Sequence, residues 1–97
     1  MLIQAASRVL KEEVKFSPTG VTSVDWNSYP ILRFGEAPET TAVVVQRLDQ
    51  PSTGAGEEAV AAAAAAIANA LFDATGVRLQ EFPMTPDRVL RALRGSA

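Results

Sequence analysis

The chain has no cysteine and no histidine in its 97 residues. Those are the usual soft and imidazole ligands, so a zinc, iron–sulfur or haem centre held by this chain itself is not expected. Neither a Ser–His–Asp nor a Cys–His catalytic arrangement can be built within it. The missing cysteine says nothing about compartment, because a disulfide-free protein can reside anywhere. Charge of one sign is lacking too: 9 basic against 11 acidic residues leave a net charge of −2. That balance argues against a nucleic-acid partner and offers nothing to an anionic membrane surface. Long hydrophobic runs are absent as well. The longest, Ala59 to Ala68, has ten residues, whereas a bilayer core needs about 20. The opening MLIQAASRVLKEE has no basic stretch leading into an apolar one. No signal peptide is read there, and a cytoplasmic location is favoured, with a periplasmic one open for a larger assembly.

Nearly half the residues are apolar, 47%, which sets the chain apart from disordered tails. Residues 2–13 have helical spacing. Leu2, Ala6, Val9, Leu10 and Glu13 share one side, with Arg8, Lys11 and Glu12 on the wet one. No capping residue precedes Leu2, so the helix reads as one whose start belongs to another piece of chain. Val14–Phe16 and Val21–Val24 are short strand candidates around the turn Ser17-Pro18-Thr19-Gly20. Asp25 to Pro38 reads as irregular chain carrying Trp26, Tyr29 and Phe34. Thr40 to Arg47 is the clearest strand, and its adjacent Val43, Val44 and Val45 imply burial on both faces.

Leu48 to Gly56 is a loop, and Glu57 to Thr75 a helix, with six alanines from Ala61 to Ala66 and Gly76 as its stop. Val77–Leu79 reads as a short strand. Thr85-Pro86-Asp87 opens a last helix with Thr at the N-cap and Pro at the first turn. In that helix Val89, Leu90 and Leu93 are expected to face inward and Arg88, Arg91 and Arg94 outward. The expected fold is α+β: a small mixed sheet of hairpin plus central strand, with an N-terminal helix, a long Ala-rich helix and a short C-terminal helix.

Two features imply more mass than the chain supplies. The Ala-rich helix has almost no polar face, which calls for cover on all sides. Two long connections, Asp25–Pro38 and Leu48–Gly56, have little regular structure of their own. Residues 1–97 therefore read as one partial domain.

The segment suited to chemistry is Thr53-Gly54-Ala55-Gly56-Glu57-Glu58. Glycines before a helix N-terminus let backbone N–H groups approach an anion. It is not a P-loop, for lack of the Lys-Ser/Thr pair, and GxGxxG is incomplete. The bland alternative is a glycine turn whose acids complement the helix dipole.

Taken in order, the motifs are more specific. D-W-N-S-Y-P-I-L-R-F stands at 25–34, A-P-E at 37–39, a valine-rich strand next and G-A-G-E at 54–57. A-I-A-N-A-L-F-D-A-T-G-V-R-L at 66–79 and P-M-T-P-D-R-V-L at 83–90 follow. This series resembles the C-terminal end of the molybdopterin-binding (large) subunit of the xanthine dehydrogenase, aldehyde oxidase and isoquinoline 1-oxidoreductase family. The opening I-Q-A-A-S-R-V-L-K-E-E resembles the family segment after its Gln-x-x-Gly-Gly cofactor motif, so essentially the whole chain is covered.

The resemblance implies that Glu57 is the general base in hydroxylation of an aldehyde or N-heterocycle, and that Gly54, Ala55 and Gly56 lie at the cofactor. It implies a molybdopterin-type molybdenum cofactor, present only with the rest of the subunit. It also implies a 2Fe-2S centre, and in many members FAD, on partner subunits. The partners would be the remainder of the molybdenum-binding subunit and the iron–sulfur subunit. No metal ligand is implied in this chain, and no activity by itself. Family members usually carry Pro or a small residue where this chain has Glu58. A second carboxylate facing the same site would raise the proton affinity of Glu57, so Glu58 is expected to point elsewhere. Two other readings stay open: a freestanding interaction or oligomerisation module, forming a homo-oligomer in isolation, and a small anion-binding domain using the Gly54–Glu58 loop.

Overall fold

The computed structural model describes residues 1–95. Helix α1 spans Leu2–Leu10 and is followed by a hairpin of β1 (Phe16–Ser17) and β2 (Gly20–Val21). A 3-10 turn covers Phe34–Glu36, and then come α2 (Ala59–Thr75) and α3 (Pro86–Leu93). The architecture is a small α+β fold with a two-stranded antiparallel sheet, Phe16 opposite Val21 and Ser17 opposite Gly20.

The core lies where α1 packs on α2. Ala5, Ala6, Val9 and Met84 are buried there, with Pro83 beside Met84. Alanine on both helices allows close approach, and on α2 the half-buried Val60, Ala63, Ala64, Ile67, Ala68 and Leu71 recur at helical spacing. The enclosure expected around α2 is therefore one-sided. Ala61, Ala62, Ala65, Ala66 and Ala70 are exposed. Gly76, at φ 71, supplies the left-handed residue that closes α2, and its N–H donates to the Phe72 carbonyl at 2.7 Å.

The C-terminal end of α1 ties the distant segments together. The buried Ser7 Oγ accepts the Leu32 N–H at 3.0 Å. The Val9 carbonyl accepts the Met84 N–H at 2.6 Å, beside the cis Phe82–Pro83 bond. The helix expected to reach Glu13 stops at Leu10, because Lys11 leaves the helical region at φ −137. The next three side chains then turn to tertiary partners. Lys11 pairs with Glu36, Glu12 accepts the Tyr29 hydroxyl at 2.9 Å, and Glu13 accepts from Arg88 at 2.7 Å.

Three other expectations are corrected. Thr40–Arg47 belongs to no sheet, and Val43, Val44 and Val45 are 84%, 76% and 78% exposed. A strand exists only where another strand completes its ladder, and no described segment of this chain pairs with it. The expected mixed sheet with a central strand thus reduces to the hairpin, and Val77–Leu79 is likewise not a strand. In α3 the faces are reversed in part. Arg88 turns inward to Glu13, Glu81 and the Pro83 carbonyl, while Leu90 and Leu93 are about half exposed.

The loop 25–38 is better organised than its sequence implies. The Asp25 carboxylate accepts the N–H groups of Asn27 and Ser28 and the Ser28 hydroxyl, the last at 2.7 Å. These bonds, led by the Ser28 hydroxyl, hold its pKa below the ordinary carboxylate value.

The molecule is open. Its radius of gyration is 16.6 Å, against about 13 Å for a compact chain of this length. Its accessible surface is 7652 Å², roughly 2,300 Å² more than a compact monomer of this mass exposes. Phe34, Leu48, Phe16, Val24 and Trp26 contribute to that excess.

Candidate functional site

Gly54, Ala55, Gly56 and Glu57 lie together at the N-terminal tip of α2. Gly54 has φ 110 and Gly56 φ 121, conformations that L side chains rarely adopt. Gly56 is also held by contact. A Cβ there would come within 2.6 Å of the Met1 Cγ. Its missing side chain thus lets the start of α1 lie against the loop.

The two acids behave differently. Glu58 folds back over the glycines, and its Oε2 accepts the Gly56 N–H at 3.1 Å. Glu57 contributes its backbone to the helix start, its carbonyl accepting the Val60 N–H at 3.2 Å. Its side chain is exposed and takes no hydrogen bond or ion pair among the described residues. The expectation that Glu58 points away from Glu57 agrees with this arrangement. The N–H that a bound anion would use at Gly56 is already occupied by a carboxylate, which disfavours the anion-binding alternative. What remains is one exposed carboxylate at a helix tip, without a bonded partner among the described residues and able to accept a proton from a group brought up to it.

Nothing else of chemical consequence converges on Glu57 within the described residues. No cluster of three or more His, Cys, Asp or Glu there could hold a metal ion. No helix of the described residues is long and apolar enough to cross a membrane.

The ionic group at Arg88 was not foreseeable from helical spacing. Its guanidinium, 17% exposed, meets Glu13 at 2.7 Å and Glu81 at 3.0 Å, and Arg91 meets Glu81 at 3.1 Å. The Arg88 pKa is raised, first by the Glu13 hydrogen bond. This group clamps the chain after α1 to α3, 75 positions away, and its role is structural. A signal was present in Glu81 and Arg88 flanking the Pro83-Met84 turn. Glu13 could not have been paired with them without knowing where α1 ends.

No protein-family model matches the chain. Individual proteins do. The chain is 50% identical over 94 residues to a nicotinate dehydrogenase subunit of Pseudomonas putida, covering 97% of this chain and 8% of that protein. It is 38% identical over 68 residues to a membrane-bound, pyrroloquinoline-quinone aldehyde dehydrogenase of Gluconacetobacter polyoxogenes, covering 70% of this chain and 9% of that one. It is 31% identical over 74 residues to the aldehyde oxidoreductase molybdenum-binding subunit PaoC of Escherichia coli, covering 71% and 10%. The chain thus spans about a tenth of the length of the relatives it matches. It is similar to part of proteins named as dehydrogenase or oxidoreductase subunits, one of them explicitly molybdenum-binding.

Proposed function

We propose that this chain is the C-terminal segment of a molybdenum hydroxylase large subunit, that Glu57 is its general base, and that it is inactive alone. The observation that carries this is the Glu57 carboxylate, unpaired and exposed at the tip of α2 while its neighbour Glu58 is turned into the loop.

The residues present fit a molybdenum–pterin group held mainly by other protein. They supply no cysteine or histidine ligand, but they do supply an exposed proton acceptor, Glu57, at the tip of α2. When bound, that group would supply two-electron oxidation of an electron-poor C–H carbon, with the oxygen drawn from water. Glu57 accepts one proton at a carboxylate oxygen from the hydroxyl or water presented to it. Glu58, committed to the Gly56 N–H, does not compete for the proton. The partners are the remainder of the molybdenum-binding subunit and an iron–sulfur subunit carrying 2Fe-2S, joined in many members of the family by FAD.

The test is a graft. This chain replaces the matched 94 residues of the Pseudomonas putida subunit. The graft should assemble and turn over, and Glu57→Gln should lower kcat by about 10²–10⁴ without changing assembly. Full activity with Glu57→Gln removes Glu57 as the base. Turnover by the purified 97-residue chain refutes its inactivity alone. A stable homo-oligomer that never associates with the truncated subunit points instead to a freestanding interaction module.

A further inference from the structure

On the footing of the function proposed above, we infer that residues 40–47 are an insertion strand. The segment docks between two strands of the larger subunit body and becomes a central strand of that body's sheet.

Four observations converge. The segment forms no helix, turn or bridge, and no backbone hydrogen bond engages residues 40–46 among the described residues. Both of its edges therefore carry unpaired N–H and C=O groups, which is the condition for pairing with another sheet. Paired as a strand, it would present Val43 and Val45 on one face and Val44 on the other, because successive strand residues alternate. All three are more than three-quarters exposed. The sequence Thr40–Arg47 has no Pro or Gly that would interrupt a ladder.

The occupant follows from the same facts. A second copy of this chain could pair along one edge only, and the resulting two-stranded ribbon would leave both valine faces wet, a marginal structure. A strand apolar on both faces needs neighbours at both edges and cover above and below. Only a large body with a sheet already formed supplies that. The relatives are about ten times longer than the chain. The surplus surface of roughly 2,300 Å² also exceeds the ~800 Å² per partner of a standard-size interface. The bare alanine face of α2 lies on the same molecule and adds to the apolar area available for contact.

The experiment mixes this chain with the Pseudomonas putida subunit lacking its matched 94 residues and follows binding and amide hydrogen exchange. Binding is expected to slow exchange at 41–47 by at least tenfold. Val44→Pro should weaken binding roughly tenfold or more, since proline removes a ladder bond and is not tolerated in a central strand. It should leave the circular dichroism of the isolated chain unchanged, because that segment is unbonded there. Glu57→Gln should bind like the parent. Binding with unchanged exchange at 41–47, or undiminished by Val44→Pro, overturns the strand insertion and leaves the subunit assignment standing. Protection of 41–47 in a homodimer, with no partner added, overturns the choice of occupant. Absence of any binding overturns the proposed function itself, and the insertion with it.

Discussion

The helical region and the arm that crosses residues 38–58 are made of similarly apolar sequence, yet they end up in opposite states. At the α1–α2 contact, Ala5 is completely buried and Val9 5% exposed. On the arm, three adjacent valines and Leu48 are almost wholly in water. Hydrophobicity alone does not decide burial. It needs a complementary surface within reach, and the chain supplies one for α1 but none for the three valines of the arm. The helical region also carries the long-range bonds of Ser7, Val9 and Glu13. The side-chain bonds of the arm, Arg47 to Asp49, Gln50 to Asp49 and Gly56 to Glu58, join residues one or two apart. One region is packed by this chain's own contacts, and the valines of the other stay exposed.

The sharpest way to break that contrast is to load both regions. Ala5→Leu forces a larger side chain into the α1–α2 contact and should cost about 2–3 kcal/mol. Val45→Thr on the arm should change stability by less than about 0.5 kcal/mol. Urea unfolding of the isolated chain, followed by its helical circular dichroism, compares the two directly. Equal losses would mean that the arm is packed in solution.

A smaller effect is expected from Arg88→Gln. It removes the charge shared by Glu13 and Glu81 at a partly buried site and should cost about 1–2 kcal/mol after solvent screening. Chemical shifts should move at Glu13 and Glu81 and stay put on the arm. A loss spread evenly over the molecule would instead make the two regions one cooperative unit.

The smallest effect is a titration. The paired guanidinium of Arg47 lowers the Asp49 pKa from its ordinary value to about 2. Because the folded value is depressed, the contribution of this pair is full above the unfolded carboxylate value near 3.8 and disappears as pH falls through about 2. NMR titration of the Asp49 carboxyl should find that midpoint, and Arg47→Gln should raise it toward the ordinary value, with the Gln50 and backbone hydrogen bonds still lowering it. The helical signals of α1 and α2 should not follow the Asp49 transition, since the pair is confined to the arm.

Local signals were the legible ones. Gly76 marked the end of α2, Thr85-Pro86 the start of α3, and Ser17–Gly20 the hairpin turn, and each is where the residues required. The Gly54–Glu57 tip was visible as well, because glycines before a helix declare themselves in sequence. That Gly56 must be small for Met1, and that Glu58 caps the loop, could not be seen there. The faces of α3 were misjudged because amphipathic spacing treats Arg as wet. Arg88 finds two carboxylates from other parts of the chain, and pairing makes its partial burial tolerable.

The three helices and the glycine-hinged tip were written into the order of residues, because helical hydrogen bonds and turn conformations close within a few positions. Long-range packing settled the rest: α1 stops at Leu10 and gives its next three side chains to distant partners, Arg88 turns inward, and the valine segment stays unpaired. Each of these depends on which groups meet across the chain, and a ladder bond cannot form until a second strand arrives.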